Sequence, residues 1–152
     1  MSADTADAKL TPKLIDSLYV EAMVLADEAR AYFDQHGRDE RLALDPIVRV
    51  GFSCESLKVT TRLMHVIAWL LTQRAVEAGE LAPSQARSSA RRLGEATESD
   101  MEIVLQLPQA AVQLIEASRE LYARVRRLDD GGTVETPPSP ARSLMSRLER
   151  SL

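Results

Sequence analysis

Cysteine, histidine, aromatic side chains and long apolar runs are all scarce in this chain, and each scarcity excludes something. The single cysteine, Cys54, permits no intramolecular disulfide and no cysteine-built zinc site, so a reducing interior is the default setting. Two histidines, His36 and His65, leave little for imidazole catalysis or metal binding. One Trp, three Tyr and two Phe argue against aromatic-rich β architectures. No run of about 18 apolar residues occurs, and the opening MSADTADAKLT lacks a hydrophobic signal segment. The expected protein is therefore soluble and cytoplasmic, with no membrane partner. Six Gly and seven Pro rule out collagen-like or wholly disordered classes. What remains is 152 residues, 45% apolar, with 23 acidic and 19 basic side chains and a formal net charge of −4. A helical domain of that length buries about two-thirds of its unfolded surface.

Residues 1–10 are polar and read as a disordered N-terminus. Thr11-Pro12 then forms an N-cap followed by proline at the first helical position, where the missing N–H costs nothing. Ile15, Leu18, Ala22, Leu25, Ala29 and Tyr32 recur at heptad gaps, and Gly37 supplies a stop, which predicts a helix over about 12–36. Asp45-Pro46 repeats the start signal and Gly79 the stop, predicting a second helix over about 46–78, roughly 50 Å long.

That second helix carries two apolar stripes. Val50, Cys54, Leu57, Thr61, Met64, Ala68, Leu71 and Ala75 alternate gaps of 4 and 3, the seam expected to face the core, with Cys54 a small packing residue. Phe52, Val59, Leu63, Val66, Ile67 and Leu70 cluster about 140° away at 100° per residue. The combined arc is wider than a surface helix needs. Two bundle neighbours explain much of it, and a second copy of the chain explains the excess, with Phe52, Val59, Leu63, Val66 and Leu70 as the expected dimer interface. Ser53, Ser56, Thr60 and Thr61 are small enough to let another helix approach closely.

Leu81-Ala82-Pro83-Ser84 breaks the chain. A short basic helix is expected over about 84–93, loop over 95–100, and a third long helix over about 101–129, its clear portion opening at Pro108. Ala111, Leu114, Ser118, Leu121, Val125 and Leu128 form its seam, and Asp129-Asp130-Gly131-Gly132 its end. Residues 131–152 read as a flexible, disordered C-terminal tail, because GGTVETPPSP concentrates Gly and Pro. Within it, 141–152 regain a pattern. Leu144, Met145 and Leu148 share one helical face, flanked by Arg147 and Arg150. So short a segment holds no helix alone in water but can fold against a partner's groove, so these five residues are the expected partner-binding set. The fold class is all-α, a three-helix bundle of long antiparallel helices with a trailing arm.

Reaction chemistry is not legible. His65 has Thr61, Arg62, Ala68 and Trp69 at its helical neighbours, so no local carboxylate or imidazole can share a metal with it. Cys54 has no histidine three or four residues away, and its one lysine at that spacing, Lys58, has Glu55 three residues before it, so the residue reads as packing rather than as a reactive thiol. No phosphate-cradling glycine loop or nucleophile elbow occurs. The reading is a non-enzyme with no catalytic residue, metal or cofactor. Residues 41–95 carry eight basic against five acidic side chains, and 1–40 carry nine acidic against four basic. This polarised field suits protein partners better than a phosphate backbone, although Arg87, Arg91 and Arg92 form a local basic patch. Trp69, beside Lys58, Arg62 and His65, is either covered by the 80–100 segment or an exposed anchor for another protein.

The stretches LTPKLIDSLYVEAMVLADEARAYFD (10–34) and LDPIVRVGFSCESLKVTTRLMHVIAWLLTQRAVEAGE (44–80) resemble the RcdA family, the "regulator of CtrA degradation". The likeness covers about 10–128, with SCESLKVTTRLMHVIAWLL the most distinctive run. It implies a dimeric three-helix bundle with a flexible C-terminus. It also implies an adaptor in regulated proteolysis that brings cell-cycle transcription regulators to the ClpXP protease, once a response-regulator-like adaptor has primed ClpX. Tethering of that kind needs surfaces rather than reactive groups. The rival readings are a small helical DNA-binding transcriptional regulator using Arg87, Arg91 and Arg92, and a passive dimeric scaffold.

Overall fold

The computed structural model describes residues 11–133, and these are all-helical, with no strand among the described residues. Three long α-helices, α1 (Pro12–Ala31), α3 (Pro46–Glu77) and α6 (Gln109–Thr133), pack against one another. Three short ones, α2 (Arg38–Leu42), α4 (Pro83–Ala86) and α5 (Met101–Val104), lie in the connections. The expected bundle of three helices is thus elaborated to six α-helices among the described residues, with a π-helical turn at Tyr32–His36 and a 3-10 turn at Ser89–Arg91.

α1 begins as its sequence indicates. The Thr11 side chain accepts a hydrogen bond from the Leu14 N–H at 3.1 Å, and Pro12 opens the helix. All six residues of its heptad seam, Ile15 to Tyr32, are buried. Gly37 follows the π turn at φ −89°, so it is not a left-handed stop. A Cβ there would lie 2.7 Å from the Tyr32 ring, and close approach is what requires glycine. The Tyr32 hydroxyl donates to Glu40 at 2.7 Å. Burial, and then that carboxylate, push the phenol well above its ordinary range.

α3 starts at Pro46 as expected, but Asp45 makes no side-chain capping bond. It ends before Gly79, whose φ of +77° is the left-handed conformation that glycine tolerates best. The stripes of α3 are the main correction. Phe52, Val59, Leu63, Val66 and Leu70, assigned above to a second copy, are buried inside the single chain. The seam assigned to the core is the exposed one, with Val50, Leu57, Met64 and Leu71 at 64%, 67%, 64% and 47% exposure. Cys54 is exposed as well.

The physical reason lies in a third periodic set. Phe52, Glu55, Val59, Arg62, Val66 and Trp69 step by 3, 4, 3, 4, 3, and all six are buried. Two charged members disguise this heptad in the sequence, so the neighbouring stripe, free of charge, reads as the better seam.

The short helix expected over about 84–93 is reduced to α4 and the 3-10 turn at Ser89–Arg91, and residues 93–100 that follow have no regular secondary structure. The single helix expected over 101–129 is interrupted. α5 ends at Val104 and α6 begins at Gln109, because Pro108 donates no N–H and restricts Leu107. Of its seam, Ala111, Ser118, Leu121 and Val125 are buried, and Leu114 and Leu128 pack half-buried against the core. α6 also continues to Thr133, through the Asp-Asp-Gly-Gly expected to end it. Asp129 is 3% exposed and tethers that last turn to the rest of the fold.

Candidate interaction surfaces

The segment after α4 forms a strap along the polar side of α3. Its hydrogen bonds cannot go to a sheet, so they go to side chains of the two long helices. At the first tie, Asp129 accepts from the Trp69 indole N–H at 2.8 Å, from the Arg92 Nε at 2.9 Å and from the Leu93 N–H at 3.2 Å. Next, Gly94 lies against His65, where a Cβ would fall 2.3 Å from the imidazole Nδ1. The Gly94 carbonyl accepts from the Tyr122 hydroxyl at 2.6 Å. Arg62 then donates to the Ser99 hydroxyl at 2.8 Å, the Thr97 carbonyl at 3.3 Å and Ser118 of α6 at 3.1 Å. Glu55 accepts from the Asp100 N–H and from Lys58, both at 2.9 Å. Finally Ile103 fills the notch at Gly51, where a Cβ would come within 2.4 Å of its Cγ2.

Burial alone would raise the Glu55 carboxyl. The Asp100 N–H, the Ser99 hydroxyl and the Lys58 ammonium more than offset it, and hold the group below the ordinary carboxylate range. Burial also pulls the Arg62 guanidinium below its usual value, against the opposing pull of Glu55. Trp69 is therefore covered, at 3% exposure, and is no exposed anchor for another protein.

With one side of α3 in the core and another under the strap, a third remains in contact with solvent. Ile47, Val50, Cys54, Leu57, Thr61, Met64, Ala68 and Leu71 are all exposed and step by 3, 4, 3, 4, 3, 4, 3. From the first to the last, the 24 residue steps cover about 36 Å of helix with a heptad surface. A groove of about 310 Å³ beside it, lined by Phe33, Ser56, Thr60 and Met64, separates α3 from α1. The small residues Ser56 and Thr60 thus border a cleft next to the stripe.

A larger cleft of about 1140 Å³ opens at the C-terminal end of the same stripe, between α3 and the 87–95 segment. Arg92 is committed to Asp129 and Asp130. Of the basic trio expected as a patch, this leaves Arg87 and Arg91 with no ion-pair partner among the described residues.

Neither surface brings together a base, a nucleophile and a polarising group. His36 is exposed at the end of the π turn, and His65 is packed on Gly94. Among the described residues no group of three or more His, Cys, Asp or Glu could hold a metal ion. No described helix is long and apolar enough to cross a membrane. Leu144, Met145, Arg147, Leu148 and Arg150, the expected partner-binding set, lie outside the described residues. Sequence reasoning missed the Glu55, Arg62 and Asp129 anchors. The heptad from Phe52 to Trp69 was the available signal for the first two, while Asp129 carried none.

A family described as "Protein of unknown function (DUF1465)" matches residues 6–152. The chain is similar to RcdA from Caulobacter crescentus CB15. Its crystal structure superposes with a TM-score of 0.68 at 37% sequence identity, over 86% of this chain and 98% of that one. A comparison with proteins of curated function finds no match.

Proposed function

The chain belongs to the RcdA family, and from that membership we propose that it is a non-enzymatic adaptor in ClpXP-mediated regulated proteolysis. It acts through protein–protein contacts and delivers cell-cycle transcription regulators as cargo once a response-regulator-like adaptor has primed ClpX. The observation that carries this reading is the likeness to RcdA along almost the whole of that protein. The surfaces agree with it. An adaptor needs a rigid body and separate faces for its partners, so that tethering raises the local concentration of cargo near the protease. The strap-bound helices supply the body, and the C-terminal end of the exposed stripe, from Ala68 onward, and the tail over 134–152 supply two faces.

The stripe also serves a homodimer. The six exposed positions from Ile47 to Met64 are the surface that a second α3 would cover, in place of the buried set from Phe52 to Leu70, and they leave Ala68 and Leu71 open. Leu57→Glu with Met64→Glu then gives a folded monomer by light scattering, and an unchanged mass rejects this interface.

The adaptor role is tested by reconstitution with ClpXP, the priming adaptor and a cell-cycle regulator as cargo. Addition of the full chain should accelerate cargo loss, and a chain lacking 133–152, with helicity and melting unchanged, should not. Cargo loss that ignores the protein rejects the reading and favours a passive scaffold.

A further inference from the structure

The cleft between the C-terminal half of α3 and the 87–95 segment is a composite surface. Its floor on α3 carries an aliphatic strip, Ala68, Leu71 and Ala75, which lie on one face of the helix over two turns beside His65 and Thr72. Its opposite wall carries Arg87 and Arg91, both exposed. The remaining charges lining it are internally matched. Arg92 pairs with Asp129 at 2.9 Å, and Arg126 pairs with Glu95 at 3.3 Å. The two unmatched guanidinium groups therefore set the sign of the cleft, in a chain whose formal net charge is −4.

We propose that this cleft docks an acidic amphipathic helix of a protein partner, with aliphatic side chains on the Ala68–Leu71–Ala75 floor and carboxylates against Arg87 and Arg91. The volume of about 1140 Å³ exceeds the usual range for a small-molecule pocket and suits a helical segment of two to three turns. Charge complementarity selects its sign, and arginine's planar fork matches a carboxylate in a bidentate pair. Nucleic acid is the poorer fit. Two free cations neutralise few phosphates, the floor carries an aliphatic strip, and the one tryptophan lies buried with its N–H on Asp129, so no base can stack on it. Docking here requires no protease and is measured with purified components, independently of the adaptor reading.

The test is fluorescence anisotropy with the full chain. The probe is a labelled 18-residue helical peptide carrying leucine at i, i+3, i+4 and i+7, with glutamate on the flanking positions. Arg87→Glu with Arg91→Glu should weaken binding by about tenfold or more, since two ion pairs become two repulsions. Arg87→Gln with Arg91→Gln should fall between. Both pairs are exposed, so the circular dichroism melt should not move. The same peptide with glutamine for glutamate should lose affinity to a similar degree, and raising salt should weaken the wild-type complex. Undetectable binding of the acidic peptide, equal binding by the reversed variant or by the glutamine peptide, or tighter binding of a duplex DNA of matched charge would each overturn the proposal.

Discussion

Arg62 offers the most informative single perturbation. It is 3% exposed and ties three parts of the chain together, bonding Ser99 and Thr97 on the strap and Ser118 on α6. A hydrogen bond to a charged group contributes about 1.5–3 kcal/mol net, and the two bonds of 2.8 and 3.1 Å have good geometry. Their sum of roughly 3–6 kcal/mol is reduced because burying a cation costs several kcal/mol, which an apolar replacement avoids. Ser118 also keeps its own bond to the Ile115 carbonyl at 2.8 Å, so it is not orphaned. Arg62→Met, which retains most of the packed stem, should therefore cost about 2 kcal/mol. Arg62→Ala adds a cavity and should cost about 4 kcal/mol. For a domain of this size these losses lower the melting temperature by roughly 6 and 12 °C. The assay is paired denaturant and thermal melts at fixed protein concentration, with amide exchange followed at Ala96 to Asp100. The strap amides should lose protection before those of α3 and α1 do. A loss below about 1 kcal/mol for the alanine variant, or unchanged exchange at the strap, would refute the assignment of Arg62 as its main anchor.

Further outcomes follow from the same geometry. Glu55 has a folded-state pKa held below its unfolded value of about 4.3, so its contribution to stability is present above that pH and is lost as pH falls through the folded value. Glu55→Gln should flatten the acid limb of a stability–pH curve, and an unchanged limb would exclude this carboxylate as its source. Gly51→Ala should destabilise by about 1–3 kcal/mol despite alanine's better helix propensity, because its Cβ would meet Ile103 at 2.4 Å; a stabilised variant would contradict the notch. Asp129→Ala should cost about 3 kcal/mol, since it strands the buried Trp69 indole and Leu93 amide, and Trp fluorescence should shift to the red as the strap end loosens. A near-neutral variant with unchanged emission would show that the anchor is dispensable.

How far the fold could be read in advance differed by helix, for identifiable reasons. α1 was legible in its buried face, because its heptad seam is apolar throughout and carries no charge, so period and burial coincide from Ile15 to Tyr32 even though Val20, Met23 and Val24 are exposed. α3 was legible as a helix but not in its orientation. It carries apolar residues on two sides and buries two charged ones on the side that matters. Periodicity reports that a stripe exists, and only the neighbours decide which stripe they cover. The strap was opaque, because the bonds that hold it connect residues 28 to 45 positions apart and involve ordinary serines, threonines and acids with no local pattern. Arg87, Arg91 and Arg92 were visible as a cluster. Which of them is already matched depended on Asp129 and Asp130, far along the chain.

The strap makes part of the chain intolerant of changes in length. Surface connections usually absorb an inserted or deleted residue with little consequence. Here successive anchors, from Leu93 beside Trp69 to Ile103 in the Gly51 notch, meet the long helix at fixed heights. One extra residue between Gly94 and Asp100 would put each later group out of step with its mate, much as a dropped tooth disables a zip. The turn at Gly79–Ala82 has no such indexing, so an extra residue there should leave the rest of the fold in register.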